Sequence, residues 1–173
     1  QEEEFPFLRA DQVLFTYLHP AAYPAVAEAL IEAGTTAIAY ETVQLSDGSL
    51  SLLAPMTEIA RRLAAQVGAN LLEKPHGGRG VLTGGCTGVR PARVVVLGAG
   101  SVGWNAARVA AAMDAEVLLL DLSPERLRQL EPARPGRMVS LVSSVGRLER
   151  LIPSADLVIG AVLRPGDRAP TLV

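Results

Sequence analysis

A glycine-rich turn between two apolar segments places the strongest constraint on how this chain can fold. Residues 94–97 read Val-Val-Val-Leu, which is typical of a strand whose two faces are both covered by helices. The turn Gly98-Ala-Gly-Ser-Val-Gly103 follows at once and opens an amphipathic helix, and residues 116–120 predict a second buried strand. This succession is typical of a βαβ unit in a parallel sheet.

The glycines of the turn have separate predicted roles. Gly98 permits a tight turn, Gly100 lets the backbone approach a diphosphate without an intervening Cβ, and Gly103 allows close packing of helix on strand. The backbone N–H groups of Ser101 and Val102 lie at the helix N-terminus, where unpaired donors and the helix dipole favour an anion. The turn therefore predicts a binding site for a dinucleotide.

An acidic residue closes the second strand of this unit. Asp121 follows Gly103 by 18 residues, where a carboxylate can accept hydrogen bonds from an adenosine ribose and would repel a 2′-phosphate. We therefore predict NAD rather than NADP, although Arg126 in the following helix could meet a phosphate. The alternative is a glycine turn in an ordinary α/β domain, with Asp121 capping the next helix.

The alternation of strands and helices continues after this unit. Helices are predicted over residues 124–130 and 145–152, and strands over residues 138–142 and 156–159. The predicted fold class is α/β, a Rossmann-type doubly wound parallel sheet preceded by part of a second α/β domain that binds substrate.

That preceding domain has its own strand, helix and strand. β-Branched and aromatic residues predict a strand over residues 13–18, apolar spacing predicts a helix over residues 22–33 that stops at Gly34, and a second strand follows over residues 36–40. Residues 46–49, Ser-Asp-Gly-Ser, have the composition of a turn and indicate a domain boundary.

We assign residues 1–51 to the remnant of a substrate domain and residues 52–173 to an NAD-binding domain that is incomplete at its C-terminal end. A helix is predicted to begin at Pro55 and to end at Gly68. Its apolar residues recur at every fourth position: Ile59, Leu63 and Val67. The glycine-rich residues 74–91 predict a loop or an irregular hairpin.

Two side chains follow the strands of the first domain. His19 closes one strand and could act as an acid or base, but a structural hydrogen bond is the favoured interpretation from the residues alone. Glu41 closes the neighbouring strand and could orient a functional group, although contact with solvent is favoured. Neither Cys86 nor His76 belongs to a metal-ligand spacing, so no metal site is predicted.

Composition excludes several classes of function. A net charge of −2 without basic clusters gives no indication of a nucleic-acid partner. No uncharged apolar run approaches the roughly 20 residues that cross a bilayer. The single cysteine excludes an internal disulfide, and the acidic start is unlike a signal peptide, so we expect a cytoplasmic location.

Five segments together resemble alanine dehydrogenase, and the resemblance covers essentially the whole chain. The proton-translocating transhydrogenase and the lysine-pathway dehydrogenases share this architecture. The five segments are Leu14-Phe-Thr-Tyr-Leu-His19, Thr36-Ala-Ile-Ala-Tyr-Glu-Thr-Val43, Glu73-Lys-Pro-His-Gly-Gly-Arg-Gly-Val81, Gly98-Ala-Gly-Ser-Val-Gly103 and Ala155-Asp-Leu-Val-Ile-Gly-Ala-Val-Leu163.

The resemblance implies reversible oxidative deamination of L-alanine to pyruvate and ammonia, with hydride transfer to NAD, by a homo-oligomer that is a hexamer. It implies that His19 is the catalytic acid or base beside the substrate carbonyl. Met56 is implied to contact substrate, and Thr57 replaces a serine that contacts the nicotinamide. Further cofactor contacts are implied at Asp121, Arg126, Ser143, Ala161, Val162 and Leu163.

Three functional groups of the family have no counterpart in this chain: an arginine and a lysine that bind the substrate carboxylate, and an aspartate that works with the histidine. Loss of charge-assisted partners and of orientation lowers rates by orders of magnitude. We therefore expect weak or no alanine dehydrogenase activity from this polypeptide alone. The alternatives are a noncatalytic NAD-binding fragment and a transhydrogenase nucleotide-binding domain.

Overall fold

The computed structural model describes residues 2–20 and 22–162. The chain divides into two compact units, the first ending at Thr57 and the second beginning at Glu58. Within the described ranges, no helix is long and apolar enough to cross a membrane. The same ranges contain no group of three or more acidic, histidine or cysteine side chains arranged to hold a metal ion.

Among its described residues, the first unit contains a small parallel sheet, the helix that connects the two strands and the start of a second α-helix. Gly34 ends the helix in the left-handed conformation at φ 66°, as predicted. The first strand ends two residues earlier than predicted, because the N–H groups of Leu18 and His19 donate to the Glu41 side chain. The elements are β1 (Val13–Thr16), α1 (Pro24–Ala33) and β2 (Thr36–Ala39), and β1 pairs with β2 in parallel.

Helix α2 spans Ala54–Leu71, so the prediction that it ends at Gly68 is wrong. A Cβ at Gly68 would lie 2.4 Å from Cδ2 of Leu157, and the glycine therefore permits close packing rather than ending the helix. The apolar residues that recur at every fourth position of this helix also do not form its buried face. Ala65 and Gly68 are buried, whereas the three recurring residues are exposed: Ile59, Leu63 and Val67.

The described part of the second unit alternates strands and helices after α2: β3 (Arg93–Leu97), α3 (Ser101–Ala112), β4 (Glu116–Asp121), α4 (Pro124–Leu130), β5 (Met138–Val142), α5 (Val145–Leu151) and β6 (Leu157–Gly160). The strands form a four-stranded parallel sheet in the order β5-β4-β3-β6. The predicted Rossmann-type α/β class is confirmed, because this order places later strands on both sides of β3.

Both faces of this sheet are covered. Val94 and Val96 pack with alanines of α3 on one face, and Val95 and Leu97 pack against Leu148 of α5 on the other. The two central strands are therefore apolar at nearly every position, as a doubly wound sheet requires.

A buried carboxylate fixes the opposite edge of the sheet. The Asp156 side chain is fully buried and accepts two hydrogen bonds from Arg90, at 2.7 and 3.0 Å, and one from the Arg93 backbone at 2.9 Å. Arg79 lies 2.9 Å away as a second ion-pair partner. The hydrogen bonds from Arg90 lower the pKa of Asp156, against the opposing effect of burial. This cluster anchors the predicted irregular hairpin, in which Cys86 and Val89 form an antiparallel bridge.

Candidate functional site

The glycine turn lies at the carboxyl end of β3, and the protein's own backbone occupies the space around two of its glycines. Gly98 has φ 100°, and a Cβ there would lie 2.9 Å from the Ala161 carbonyl oxygen. A Cβ at Gly103 would lie 1.8 Å from the Gly98 carbonyl oxygen. Glycine is therefore required at both positions by the fold itself, which is the tight turn and close packing predicted from the sequence.

Gly100 differs from its two neighbours. Its φ of −66° suits any residue, and a Cβ would meet no heavy atom within 4 Å. Gly100 is the N-cap of α3, so this open space lies at the N-terminus of the helix. The N–H groups of Ser101 and Val102, the first two residues of the helix, have no partners within it. The turn thus leaves room for an anion beside the positive end of the helix dipole.

Asp121 joins this turn to the neighbouring strand end. Its Oδ2 accepts a hydrogen bond from the Ala99 N–H at 2.7 Å, and its Oδ1 accepts one from the Ser123 N–H at 2.8 Å. Arg126 lies 3.5 Å from Oδ2. The cap of α4 is Ser123, whose Oγ accepts from the Arg126 N–H, so Asp121 is not the capping residue of the alternative interpretation. Oδ2 thus accepts from both Ala99 and Arg126, whereas Oδ1 keeps a lone-pair site for another donor.

The remaining residues of the second unit that are predicted to contact the cofactor also lie at the carboxyl edge of the sheet. The Ser143 N–H donates to the Asp121 carbonyl at 2.8 Å, and the Ala161 N–H donates to the Leu97 carbonyl at 2.8 Å. Val162 follows Ala161, and its Cγ2 would lie 3.2 Å from a Cβ at Gly98. Leu163 lies outside the described residues. The structure thus brings the described residues of this group together, and their cofactor roles stay predictions.

The first unit holds His19 in an unusual conformation. Its φ is 45°, in the left-handed region that few residues other than glycine adopt. Glu41 Oε1 accepts the N–H groups of both Leu18, at 3.0 Å, and His19, at 2.5 Å. The same oxygen lies 3.6 Å from Nδ1 of the His19 ring. The ring stacks on Tyr17 with 7° between planes and 6.1 Å between centroids.

Glu41 is therefore not a solvent-facing residue, and the interpretation that the sequence favoured is wrong. Its side chain is 14% exposed. Burial raises its pKa, but hydrogen bonds from the His19 and Leu18 backbones and the nearby imidazole outweigh burial, so the pKa of Glu41 is lowered overall. Parallel pairing of Thr16 with Ala39 brings the two strand ends together, and the sequence does not specify this register.

A pocket of about 800 Å³ lies beside His19 in the first unit. Its polar lining includes Tyr17, His19 and Tyr23, and its apolar lining includes Leu14 and Val26. His19 therefore borders a space large enough for a small organic molecule.

The two residues predicted at the start of α2 are also in the first unit. Met56 is exposed, and the Thr57 hydroxyl donates a hydrogen bond to the Leu53 carbonyl at 3.0 Å. That bond uses the hydroxyl hydrogen and leaves the oxygen of Thr57 as an acceptor. The predicted contacts of both residues with substrate and nicotinamide stay predictions.

The parallel sheet, its strand order and the glycine turn at the carboxyl edge of β3 define a Rossmann-type nucleotide-binding fold. Residues 64–173 match the family described as alanine dehydrogenase/PNT, C-terminal domain, and residues 1–60 match the N-terminal domain of that family. The chain belongs to the alanine dehydrogenase/PNT family, which confirms the resemblance seen in the sequence.

Individual relatives agree with this assignment. The chain is 57% identical over 170 residues to an alanine dehydrogenase of Mycobacterium tuberculosis, covering 98% of this chain and 46% of the relative. It is 48% identical over 172 residues to alanine dehydrogenase 2 of Staphylococcus aureus, covering 99% and 46%. The chain thus spans about half the length of the curated relatives it matches.

Solved structures show the same fold. An L-alanine dehydrogenase structure superposes with a TM-score of 0.84 at 50% identity, over 100% of this chain and 48% of that one. A transhydrogenase from Sinorhizobium meliloti superposes with a TM-score of 0.70 at 22% identity, over 98% of this chain and 49% of that one. The second likeness shows a shared fold alone.

Proposed function

We propose that the chain binds NAD(H) at the carboxyl edge of the second unit and serves an enzyme that interconverts L-alanine and pyruvate. One observation carries the binding proposal: of the three turn glycines, Gly100 alone has open space where a Cβ would be, and it lies at the helix N-terminus. The protein's own packing does not require glycine there, whereas close approach of a diphosphate does.

The described residues fit the parts of a dinucleotide. The N–H groups of Ser101 and Val102 would bind the diphosphate, and Asp121 would accept hydrogen bonds from the adenosine ribose. Because this carboxylate is held in place by two backbone donors, a 2′-phosphate would face a fixed negative charge. This supports NAD over NADP, with Arg126 already directed to Asp121. Further contacts are proposed for Ser143, Ala161, Val162 and Leu163.

Residues of each unit have proposed roles in the chemistry. Bound NAD would supply the hydride acceptor for conversion of L-alanine and water to pyruvate and ammonia. His19 would exchange a proton with the substrate as acid or base. Met56 would contact substrate, and the oxygen of Thr57 would accept a hydrogen bond near the nicotinamide. Family membership supports these roles and also a cytoplasmic homo-oligomer, a hexamer by resemblance.

Calorimetric titration with NADH tests the binding proposal. Gly100→Ala keeps the fold, because its φ is ordinary and its Cβ meets nothing, but it fills the space meant for the diphosphate. We expect it to weaken NADH binding about tenfold or more, which is ~1.4 kcal/mol. The matched control is Gly136→Ala, also in open space but in the turn before β5, and it should bind NADH as the unchanged chain does.

Absence of NADH binding by the unchanged chain, or equal binding by Gly100→Ala, would refute the proposal. The activity is tested separately by following NADH formation from NAD with and without L-alanine. A transhydrogenase nucleotide-binding domain would bind NADH with no dependence on the amino acid.

A further inference from the structure

The backbone around His19 is held by one side chain. A left-handed conformation at a residue other than glycine persists only where its surroundings enforce it. Here Glu41 Oε1 accepts the N–H groups of Leu18 and His19, and the His19 carbonyl accepts the N–H groups of Ala22 and Tyr23. The conformation that directs this imidazole is therefore tied to a carboxylate 22 residues further along the chain.

The same oxygen also lies beside the ring. Oε1 is 3.6 Å from Nδ1, while the other oxygen, Oε2, is buried and has no hydrogen-bond partner among the described residues. A negative charge at this distance favours a proton on Nδ1. In the neutral ring, Nε2 is then the nitrogen without a proton, which can accept one from a ligand.

We propose that Glu41 is a positioning residue for His19: it fixes the backbone at residues 18 and 19 and directs the ring proton to Nδ1. This proposal rests on the proposed acid or base role of His19. Glu41 need not touch the substrate, because it acts through the orientation and the tautomer of the ring. Other titratable groups line the pocket beside His19: Glu2, Glu4, Tyr17 and Tyr23.

The chain provides its own control, because it contains two histidines and each has a glutamate nearby. His76 Nδ1 lies 3.7 Å from Glu73 Oε2, but that pair is formed by side chains 46% and 61% exposed. Solvent screens such a pair, and the Asn70 carbonyl, 3.1 Å from Nδ1, already favours a hydrogen on that nitrogen, so the Glu73 charge should have little influence on the ring. Glu73→Gln is therefore the matched variant for Glu41→Gln, at nearly the same separation in water.

The experiment is NMR of the 173-residue chain, in which ring ¹⁵N shifts report the tautomer of each histidine and amide shifts report Leu18 and His19. Glu41→Gln keeps an oxygen acceptor and removes the charge, whereas Glu41→Ala removes both. The hydrogen bonds to Oε1 should shift the amide signals of Leu18 and His19 to low field, and we expect Glu41→Gln to retain these low-field amides. The same variant should lower the ratio of the Nδ1–H to the Nε2–H tautomer of His19 about threefold. Glu41→Ala should lose the low-field amides as well, and Glu73→Gln should leave the His76 tautomer unchanged.

The proposal is overturned if Glu41→Ala leaves the Leu18 and His19 amides in place, or if Glu41→Gln leaves the His19 tautomer ratio unchanged. Unchanged amide shifts of α1 in each variant show that the first unit, which contains Glu41 and His19, is still folded. None of these measurements uses NADH or alanine. Failure of the binding proposal, seen by calorimetry, is therefore distinguishable from failure of this one.

Discussion

The two parallel sheets of this chain are built in opposite ways. In β3 and β4, every residue after the first is buried, and helices cover both faces. In β1 and β2, by contrast, Val13 is 68% exposed and no residue is fully buried. The second unit positions its glycine turn by packing, whereas the first unit positions His19 by hydrogen bonds to one carboxylate.

Aromatic residues allow the two units to be followed separately. The chain has one tryptophan, Trp104, which packs against the core of the second unit. All three tyrosines are in the first unit: Tyr17, Tyr23 and Tyr40. Tryptophan fluorescence therefore reports on the second unit, and tyrosine near-UV circular dichroism reports on the first.

The largest expected effect is that of Leu119→Ala. Leu119 is fully buried in β4, so removing its side chain leaves a cavity and should lower the free energy of unfolding by about 3 kcal/mol. Urea unfolding followed by Trp104 fluorescence measures this change. Val13→Ala in the exposed strand is the comparison, and it should change the stability of the first unit, followed by tyrosine near-UV circular dichroism, by less than about 1 kcal/mol. A loss of about 3 kcal/mol in that tyrosine transition would contradict the contrast drawn between the sheets.

A smaller, pH-dependent effect is expected for Asp156→Asn. The variant loses charge-assisted hydrogen bonds from Arg90 and should lower the free energy of unfolding by about 2 kcal/mol at neutral pH. The pKa of Asp156 is lowered in the folded chain, so its contribution is present above the unfolded pKa of about 3.9 and is lost as pH falls through the folded value.

The difference between Asp156→Asn and the unchanged chain should therefore shrink below about pH 4. Asp47→Asn is the control, because hydrogen bonds from Ser49 also lower the pKa of Asp47, but that residue is in an exposed turn of the first unit. It should leave the tryptophan transition unchanged at every pH. A constant difference for Asp156→Asn across acid pH would show that the carboxylate charge does not stabilise the sheet edge.

The smallest expected changes in stability are those of substitutions at two glycines that lie within helices. Gly68→Ala gains about 1 kcal/mol of helix propensity, but its Cβ meets Leu157 at 2.4 Å, and overpacking costs about 2 kcal/mol. The net result should be a loss of about 1 kcal/mol. Gly146→Ala in α5 meets nothing and should gain about 0.5 kcal/mol. Thermal unfolding followed at Trp104 compares them, and stabilisation by Gly68→Ala would refute the packing explanation.

The fold of the second unit was predictable because its signals are local. Burial on both faces leaves unbroken apolar runs such as residues 117–120, and the strands and helices predicted from β3 onward lie within one or two residues of those observed. Gly68 was misassigned because the reason for the glycine, Leu157, lies 89 residues further along the chain. The partners of Asp156 were likewise not predictable, because Arg90 is separated from it by 66 residues.

The candidate sites follow the same rule. The glycine turn and Asp121 lie within one βαβ unit, so their arrangement could be inferred from spacing alone. The link between His19 and Glu41 depends on the register of two strands and on a left-handed backbone, which spacing does not specify. Glutamate side chains usually face solvent, but the side chain of Glu41 is held by hydrogen bonds from the backbone N–H groups of Leu18 and His19.

The contrast among the turn glycines has an evolutionary consequence. Substitution at Gly98 or Gly103 would be removed by selection for folding, whatever the chain binds, since its own carbonyl oxygens occupy the space. Substitution at Gly100 meets no such clash, and the ligand is the main factor that opposes it. In a lineage released from the need to hold a dinucleotide, position 100 should therefore drift first, while the glycines on either side persist as a record of the ancestral turn.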